Sequence, residues 1–422
     1  MNEDQDDPKP PLPPEVDSPP DEAAVSIPIT PPAPPARLAS IDAFRGLVML
    51  AMISSGLGLG RVAKEFPESP FWRELRHQLD HVEWVGCAAW DLIQPSFMFL
   101  VGTALAFSAA RRRAVGQSRA RIFAHAGFRA VFLTLLGVFL RSNGSAATNW
   151  TFEDVTSQIG LGYFFLFLLS WTSLRAQLAA AGGILLGVFA LFALWPLPAA
   201  DYDWAAVGVA ADWPHKLDGF AAHWNKNANP SHYFDTWFLN LFGRSKLFTH
   251  NGGGYQTLSF LPSLATMTFG LAAGGVLLST RRGLAKVGTL LGAGIVGLAL
   301  GWVLDWAGIC PNVKRIWTPT WAIFSTGWVL VLLAVFYFVV DVVGLRRWAW
   351  PLTVVGMNSI AVYVLNWLVP GWVKQTVQTH FGADAFHYYG EAYSDLIFRS
   401  LTVALLFLVA AWMHRRKIFL RV

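Results

Sequence analysis

Residues 88–109 read AAWDLIQPSFMFLVGTALAFSA, a run of 22 in which Asp91 carries the single formal charge. A bilayer's hydrocarbon core, about 30 Å thick, is crossed by a helix of about 20 mostly apolar residues. This run has that length, so the fold is decided here: the chain enters membranes. A carboxylate inside such a segment is costly and defaults to a partner or a function. His81 comes just before it, in HVEWVG, and Arg45 stands at the start of an earlier apolar run, SIDAFRGLVMLAMISSGLGLG at 40–60.

Composition extends the reading to the whole chain. Hydrophobic residues make up 54% of the 422 and charged residues 14%, with mean hydropathy +0.42. Soluble domains carry roughly 25% charge, so most of this surface faces lipid. The 20 Trp and 31 Phe suit bilayer interfaces, where aromatic rings gather. Residues 1–36 differ. They hold 12 of the 24 prolines, eight acids and one lysine, a composition that cannot bury enough apolar surface to order itself. We expect a disordered, acidic tail there, without the basic start and apolar core of a signal peptide. Residues 37–422 form the membrane domain, with net charge +12 against −7 for the tail.

Candidate spans fall near 43–60, 88–109, 122–141, 156–173, 177–196, 258–279, 285–305, 320–341, 349–369 and 394–413. The predicted fold class is therefore an all-α polytopic membrane protein of about ten transmembrane helices. Basic clusters follow the even-numbered spans: Arg111 to Arg113 with Arg119 and Arg121, Arg175, Arg281 to Lys286, Arg346 and Arg347, and His414 to Lys417. Positive charge marks cytoplasmic loops, which places both termini in the cytoplasm. Loops 61–87, 142–155, 197–257, 306–319 and 370–393 then lie outside, and they carry most of the His, Asn and Gly. The HRRK end (414–417) reads as a topology signal, so no nucleic-acid partner is expected. No metal-ligand spacing appears. Cys87 and Cys310 share the outer side, where a disulfide is conceivable, although a lone Cys more often packs as a small apolar residue.

Each polar motif has two readings. His81 is suited to proton exchange near neutral pH, or it caps a helix at the interface. Asp91 orients His81, pairs with an arginine, or clasps helices together. Arg45 snorkels beside Asp42, an acid that suits a helix start, or its planar fork receives a phosphate. Thr249-His250-Asn251-Gly252-Gly253-Gly254 allows close backbone approach to a ligand, or is a turn. Trp84, Lys314, Arg315, Trp317, Asn358, Gln158 and Tyr163 either touch substrate or pack helices.

Six strings in order, RLASIDAFRGLVMLAM (37–52), HVEWVGCAAWDLIQPSFMFLVG (81–102), VTSQIGLGY (155–163), YQTLSFLPSLATMTFG (255–270), KRIWTPTWAIFSTGW (314–328) and VVGMNSIAVY (354–363), resemble the motifs of the heparan-alpha-glucosaminide N-acetyltransferase family. They are similar above all to its bacterial members, over roughly residues 37–415. The resemblance implies a polytopic enzyme that takes acetyl from cytosolic acetyl-CoA and delivers it to an amino sugar across the membrane. It implies His81 as catalytic, with Asp91 and Arg45 at matching motif positions; beside it, we expect Asp42 with Arg45 on the CoA phosphate, and Trp84, His250, Asn251, Trp317 and Asn358 toward the sugar. The implied setting is a bacterial inner membrane, with acetyl-CoA as donor, a small-molecule or polysaccharide sugar acceptor and the lipid bilayer as partners; a homodimer stays open. Two departures stand out. Val85 occupies the place of the motif's Asn, and a polar residue near the outer end of the first helix is replaced around Gly56, with Ser54 and Ser55 close by. A transporter or flippase of a sugar-linked lipid, or a non-catalytic member serving envelope assembly, therefore stays open beside the acyltransferase.

Overall fold

The computed structural model describes residues 37–244 and 246–420; the proline-rich tail, and with it the expectation of disorder, lies outside the described residues. Within them the chain is helical, apart from one isolated antiparallel bridge, Val85 to Val313. It is an all-α polytopic membrane protein. We number its eleven main helices α1 (Ala39–Ser54), α2 (Ile93–Ala114), α3 (Arg119–Arg141), α4 (Val155–Leu169), α5 (Leu174–Ala193), α6 (Phe260–Leu278), α7 (Gly283–Trp306), α8 (Pro319–Tyr337), α9 (Trp350–Met357), α10 (Ser359–Phe381) and α11 (Ser394–Arg415).

All ten apolar windows fall on helix, but not as ten full spans. Among the described residues eight are long and apolar enough to cross, and α9 with α10 makes a ninth, bent by 79°. The remaining window is α4, a shorter apolar helix. Its 15 residues reach about 22 Å, short of the hydrocarbon thickness. Asp154 caps its start by accepting from Thr156 N–H at 3.0 Å, and the polar Thr156, Ser157 and Gln158 are buried among neighbouring helices. The ninth window hides its break because Asn358, between α9 and α10, sits inside an apolar average. The start of α1 is also tied down, since Asp341 accepts from the Ala39 and Ser40 N–H groups at 3.3 and 3.1 Å.

With no hydrophobic drive between helices in lipid, close packing depends on small residues. A methyl on Gly102 of α2 would lie 1.8 Å from the Met267 carbonyl oxygen of α6, and one on Gly270 would lie 2.0 Å from that of Phe99. The backbones touch there, and Thr103 Oγ1 donates across to the Gly270 carbonyl at 3.0 Å. Gly102→Ala must push the two helices apart, and overpacking of this kind costs about 1–3 kcal/mol. We expect a lower thermal unfolding midpoint in detergent for Gly102→Ala. Gly127→Ala on α3, with open space around it, should unfold at or above the wild-type temperature because alanine favours helix.

The end of α1 is unusual. Ser55, Gly56, Leu57 and Gly58 have φ of 45°, 63°, 52° and 69°, four consecutive left-handed residues that stop the helix before the chain turns toward Pro70–Gln78. Left-handed backbone costs a non-glycine residue about 1–2 kcal/mol, so surrounding contacts hold Ser55 and Leu57 in place.

Candidate active site

Two loops distant in sequence meet at the N-terminal end of α2. The Val85–Val313 bridge and the bond from Gly86 N–H to the Asn312 carbonyl, 2.9 Å, lay residues 81–86 against 312–314. Thr318 fixes the second loop by donating to the Pro311 carbonyl at 2.8 Å while accepting from Trp321 N–H at the start of α8. The pairing brings Lys314 beside His81 and Asp91.

Asp91 is fully buried, and its carboxylate is filled on both oxygens. Oδ2 accepts from Ala88 N–H at 3.0 Å and Val82 N–H at 3.3 Å. Oδ1 lies 2.8 Å from His81 Nδ1 and 3.2 Å from Lys314 Nζ. Lys314 Nζ is also 2.9 Å from His81 Nδ1. One ring nitrogen cannot both donate to Asp91 and accept from Lys314. With Asp91 a carboxylate and Lys314 an ammonium, Nδ1–H donates to Asp91, the ammonium pairs with the same oxygen, and the Nε2 lone pair has Lys314 Nζ at 3.5 Å as its neighbour. Burial pulls Lys314 down to about 8, against the opposing pull of Asp91.

His81, Lys314, Trp90 and Gln94 line a cavity of about 370 Å³ that Met52 of α1 also lines. Arg141, Glu153, Asp154 and Tyr363 line it too. Arg141 donates to Glu153 at 2.8 Å and lies over the Trp367 ring, 5.6 Å from its centre. Tyr363 OH donates to Asp154 at 3.0 Å. Burial raises the Glu153 carboxyl, with Arg141 opposing. The cavity thus has a basic nitrogen facing aromatic rings, carboxylates and a guanidinium, the side-chain chemistry that grips a polar, multiply hydrogen-bonding molecule.

No family model matches the chain. Over 92% of its length it is 24% identical to heparan-alpha-glucosaminide N-acetyltransferase of Homo sapiens and 22% identical to that of Mus musculus. The chain is thus similar in sequence, at a distance, to the heparan-alpha-glucosaminide N-acetyltransferases. It spans about 60% of the length of these curated relatives.

The departure at Val85 falls on the bridge itself: its backbone pairs with Val313 while its side chain is 39% exposed. His81 and Asp91 are brought together as expected. Asn251 acts at one remove, since its Oδ1 accepts from Gly253 and Tyr255 N–H at 2.9 and 3.1 Å and its amide donates to Glu153. Four residues expected toward the sugar do not line this cavity. Trp84 is core: its Nε1 donates to the Trp224 carbonyl at 3.1 Å and its ring packs on Trp213 and Gly254. Trp317 is buried, its Nε1 donating to Thr266 at 3.2 Å. His250 pairs with Thr249 at 3.1 Å and packs on Gly208, off the cavity. Asn358 ties the α9–α10 break to the C-terminal segment, donating to the Ile418 carbonyl at 3.1 Å and accepting from Leu420 N–H at 3.2 Å. Arg45 pairs with Asp42 at 3.4 Å, and Asp42 also pairs with Arg37. Arg45 stands two turns, about 10 Å by helical rise, before cavity-lining Met52. Cys87 and Cys310 are free thiols, pushed by burial up to about 12 and about 11.

Sequence reading left Lys314 undecided and passed over Arg141, Glu153 and Asp154. Tyr363 it quoted only within a longer string. An acid at the start of a polar-faced helix was the one available signal for Asp154, and it pointed equally to a cap.

Proposed function

We propose that this protein is a transmembrane acyltransferase that moves acetyl from cytosolic acetyl-CoA to a sugar amine or hydroxyl on the outer face. The observation that carries the reading is His81, oriented through Nδ1 by buried Asp91 at 2.8 Å, on the lining of a cavity of polar and aromatic residues. Acetyl-CoA would supply the activated thioester. His81 Nε2 takes the proton from the acceptor nitrogen or oxygen as that atom bonds to the acetyl carbon, and returns it to the departing thiolate sulfur as the C–S bond breaks. An acyl-imidazole on the same Nε2 is the covalent variant. Asp91 keeps Nδ1 protonated and supports the imidazolium. Lys314, whose Nζ lies 2.9 Å from His81 Nδ1, stabilises the oxyanion.

The donor's phosphates need cations inside the bundle. Arg129 of α3 fits: its guanidinium lies 4.7 Å from the Tyr163 ring centre, and its buried Nε has no hydrogen-bond partner. Arg45, already paired with Asp42, would contribute a shared charge. The oriented histidine favours an enzyme over a flippase, which needs no proton-transfer pair.

Purified protein in lipid nanodiscs, given radiolabelled acetyl-CoA and glucosamine-terminated oligosaccharides or simple hydroxyl sugars, tests the reading. Saturable acetyl-CoA binding and labelled sugar are expected. No binding at millimolar acetyl-CoA would overturn it.

A further inference from the structure

A second constellation lies far from the cavity. Ile93 and Gln94 of α2 line the cavity, whereas Arg112 and Arg113 line a separate cleft, about 27 Å away by helical rise. On α3 the order is reversed, with Ile122 in the cleft and Arg141 in the cavity, about 28 Å apart. On α4, Val155 faces the cavity while Phe167 and Ser170 face the cleft. The cleft therefore sits at the opposite end of the bundle.

Its rim is cationic. Arg113 and Arg119 place their guanidinium carbons 6.0 and 5.9 Å from the centre of the Trp171 ring, and Arg112 Nη2 lies 3.2 Å from His125 Nε2. Among the described residues, no carboxylate pairs with Arg111, Arg112, Arg113, Arg119 or Arg121. Phe123 packs edge-on against Phe167 and next to Trp171, and α3 continues away from the rim with Phe128, Leu135 and Phe139 half or more exposed. The interior of the cleft is about 20 Å³, room for little more than one water. A purine ring cannot enter, so a ligand must lie across the mouth. It must offer an anion to the arginines and apolar chains to the exposed face of α3.

We propose that this cleft is a headgroup site for an anionic phospholipid, its phosphate on Arg112, Arg113 and Arg119, its glycerol edge against Trp171 and its acyl chains along α3. Basic pockets between transmembrane helices recognise lipid phosphates in this way. The cleft adjoins the Tyr163 ring over which Arg129 lies, so the test must separate a lipid phosphate from the phosphates of the acyl donor.

The test is native mass spectrometry of the full chain with dioleoyl-phosphatidylglycerol and dioleoyl-phosphatidylcholine in competition, backed by thermal unfolding in nanodiscs of each lipid. Wild type should retain phosphatidylglycerol selectively and unfold at higher temperature in it. At about 1 kcal/mol for each surface cation, Arg113→Gln with Arg119→Gln should bind it about 30-fold more weakly, and Lys at both positions should restore most of the binding. An unchanged melting point in phosphatidylcholine certifies the fold of the Gln pair. If that pair does not fold, Trp171→Leu, which keeps every charge, decides by losing retention. Equal retention of both lipids, or undiminished binding in the Gln pair, would overturn the proposal. Displacement of the lipid by adenosine 3′,5′-diphosphate would overturn it too, by reassigning the cleft to a soluble phosphate.

Discussion

His81→Ala is expected to slow acetyl transfer by about 10²–10⁴-fold, the range that a positioned general base contributes, with the unfolding temperature nearly unchanged. The second half follows from exposure. The His81 side chain is 37% accessible and packs against no hydrophobic cluster, so its removal opens no core cavity. What is lost is the Nε2 lone pair at the acceptor. Asp91→Asn makes the complementary case. The amide keeps the volume and oxygen that Ala88 and Val82 N–H need, but an amide nitrogen turned to Nδ1 would donate to it and reverse the tautomer, placing the proton on Nε2. A comparable loss of rate is therefore expected from Asp91→Asn with the histidine still present. Steady-state transfer by the two variants checks both, and near wild-type rate in His81→Ala would dismiss the general-base role.

Lys314 gives the second large effect, in the pH profile. Its side chain is about 5% exposed, and its proton leaves near pH 8. Below that value the ammonium faces Asp91 and the reacting centre; above it the charge is gone. Loss of one oxyanion donor costs about 10²–10³-fold, so transfer should fall by about 10²-fold as pH rises well past 8. The ratio of Lys314→Arg to wild type should climb over the same interval, because guanidinium stays charged. Stability moves the other way. The folded pKa of about 8 lies below the unfolded value near 10.4, so between them the unfolded chain binds more protons and stability rises with pH. Activity falling while the melting point holds or rises separates loss of this charge from alkaline unfolding. Transfer that is flat through pH 9 in the wild type would remove Lys314 from the mechanism.

The spans were legible because bilayer thickness sets a length that averaging over a window detects. That same averaging runs through Asn358 and conceals a 79° bend. Asp91 was legible because a carboxylate there is anomalous, and His81 because it stands beside that anomaly. Lys314 was not singled out, for it lies 233 residues from His81, and a two-residue backbone bridge brings the pair together without leaving any periodicity. Glu153 and Arg141 form their pair across a loop between two helices, where charged residues are unremarkable. Trp84, Trp317 and Asn358 look the same in sequence whether they bind or pack. Only their partners, a carbonyl, a hydroxyl and a chain end, tell the two apart.

The left-handed turn after α1 bears on how this active site exchanges chemistry with its relatives. Gly56 adopts φ 63°, a conformation that glycine takes freely and that asparagine tolerates better than most side chains. A side chain at this position would meet Leu79 at ordinary contact distance, 3.5 Å, just upstream of His81. The backbone is thus a socket already shaped for either residue. A side chain can be added or withdrawn at position 56 while the backbone stays as it is.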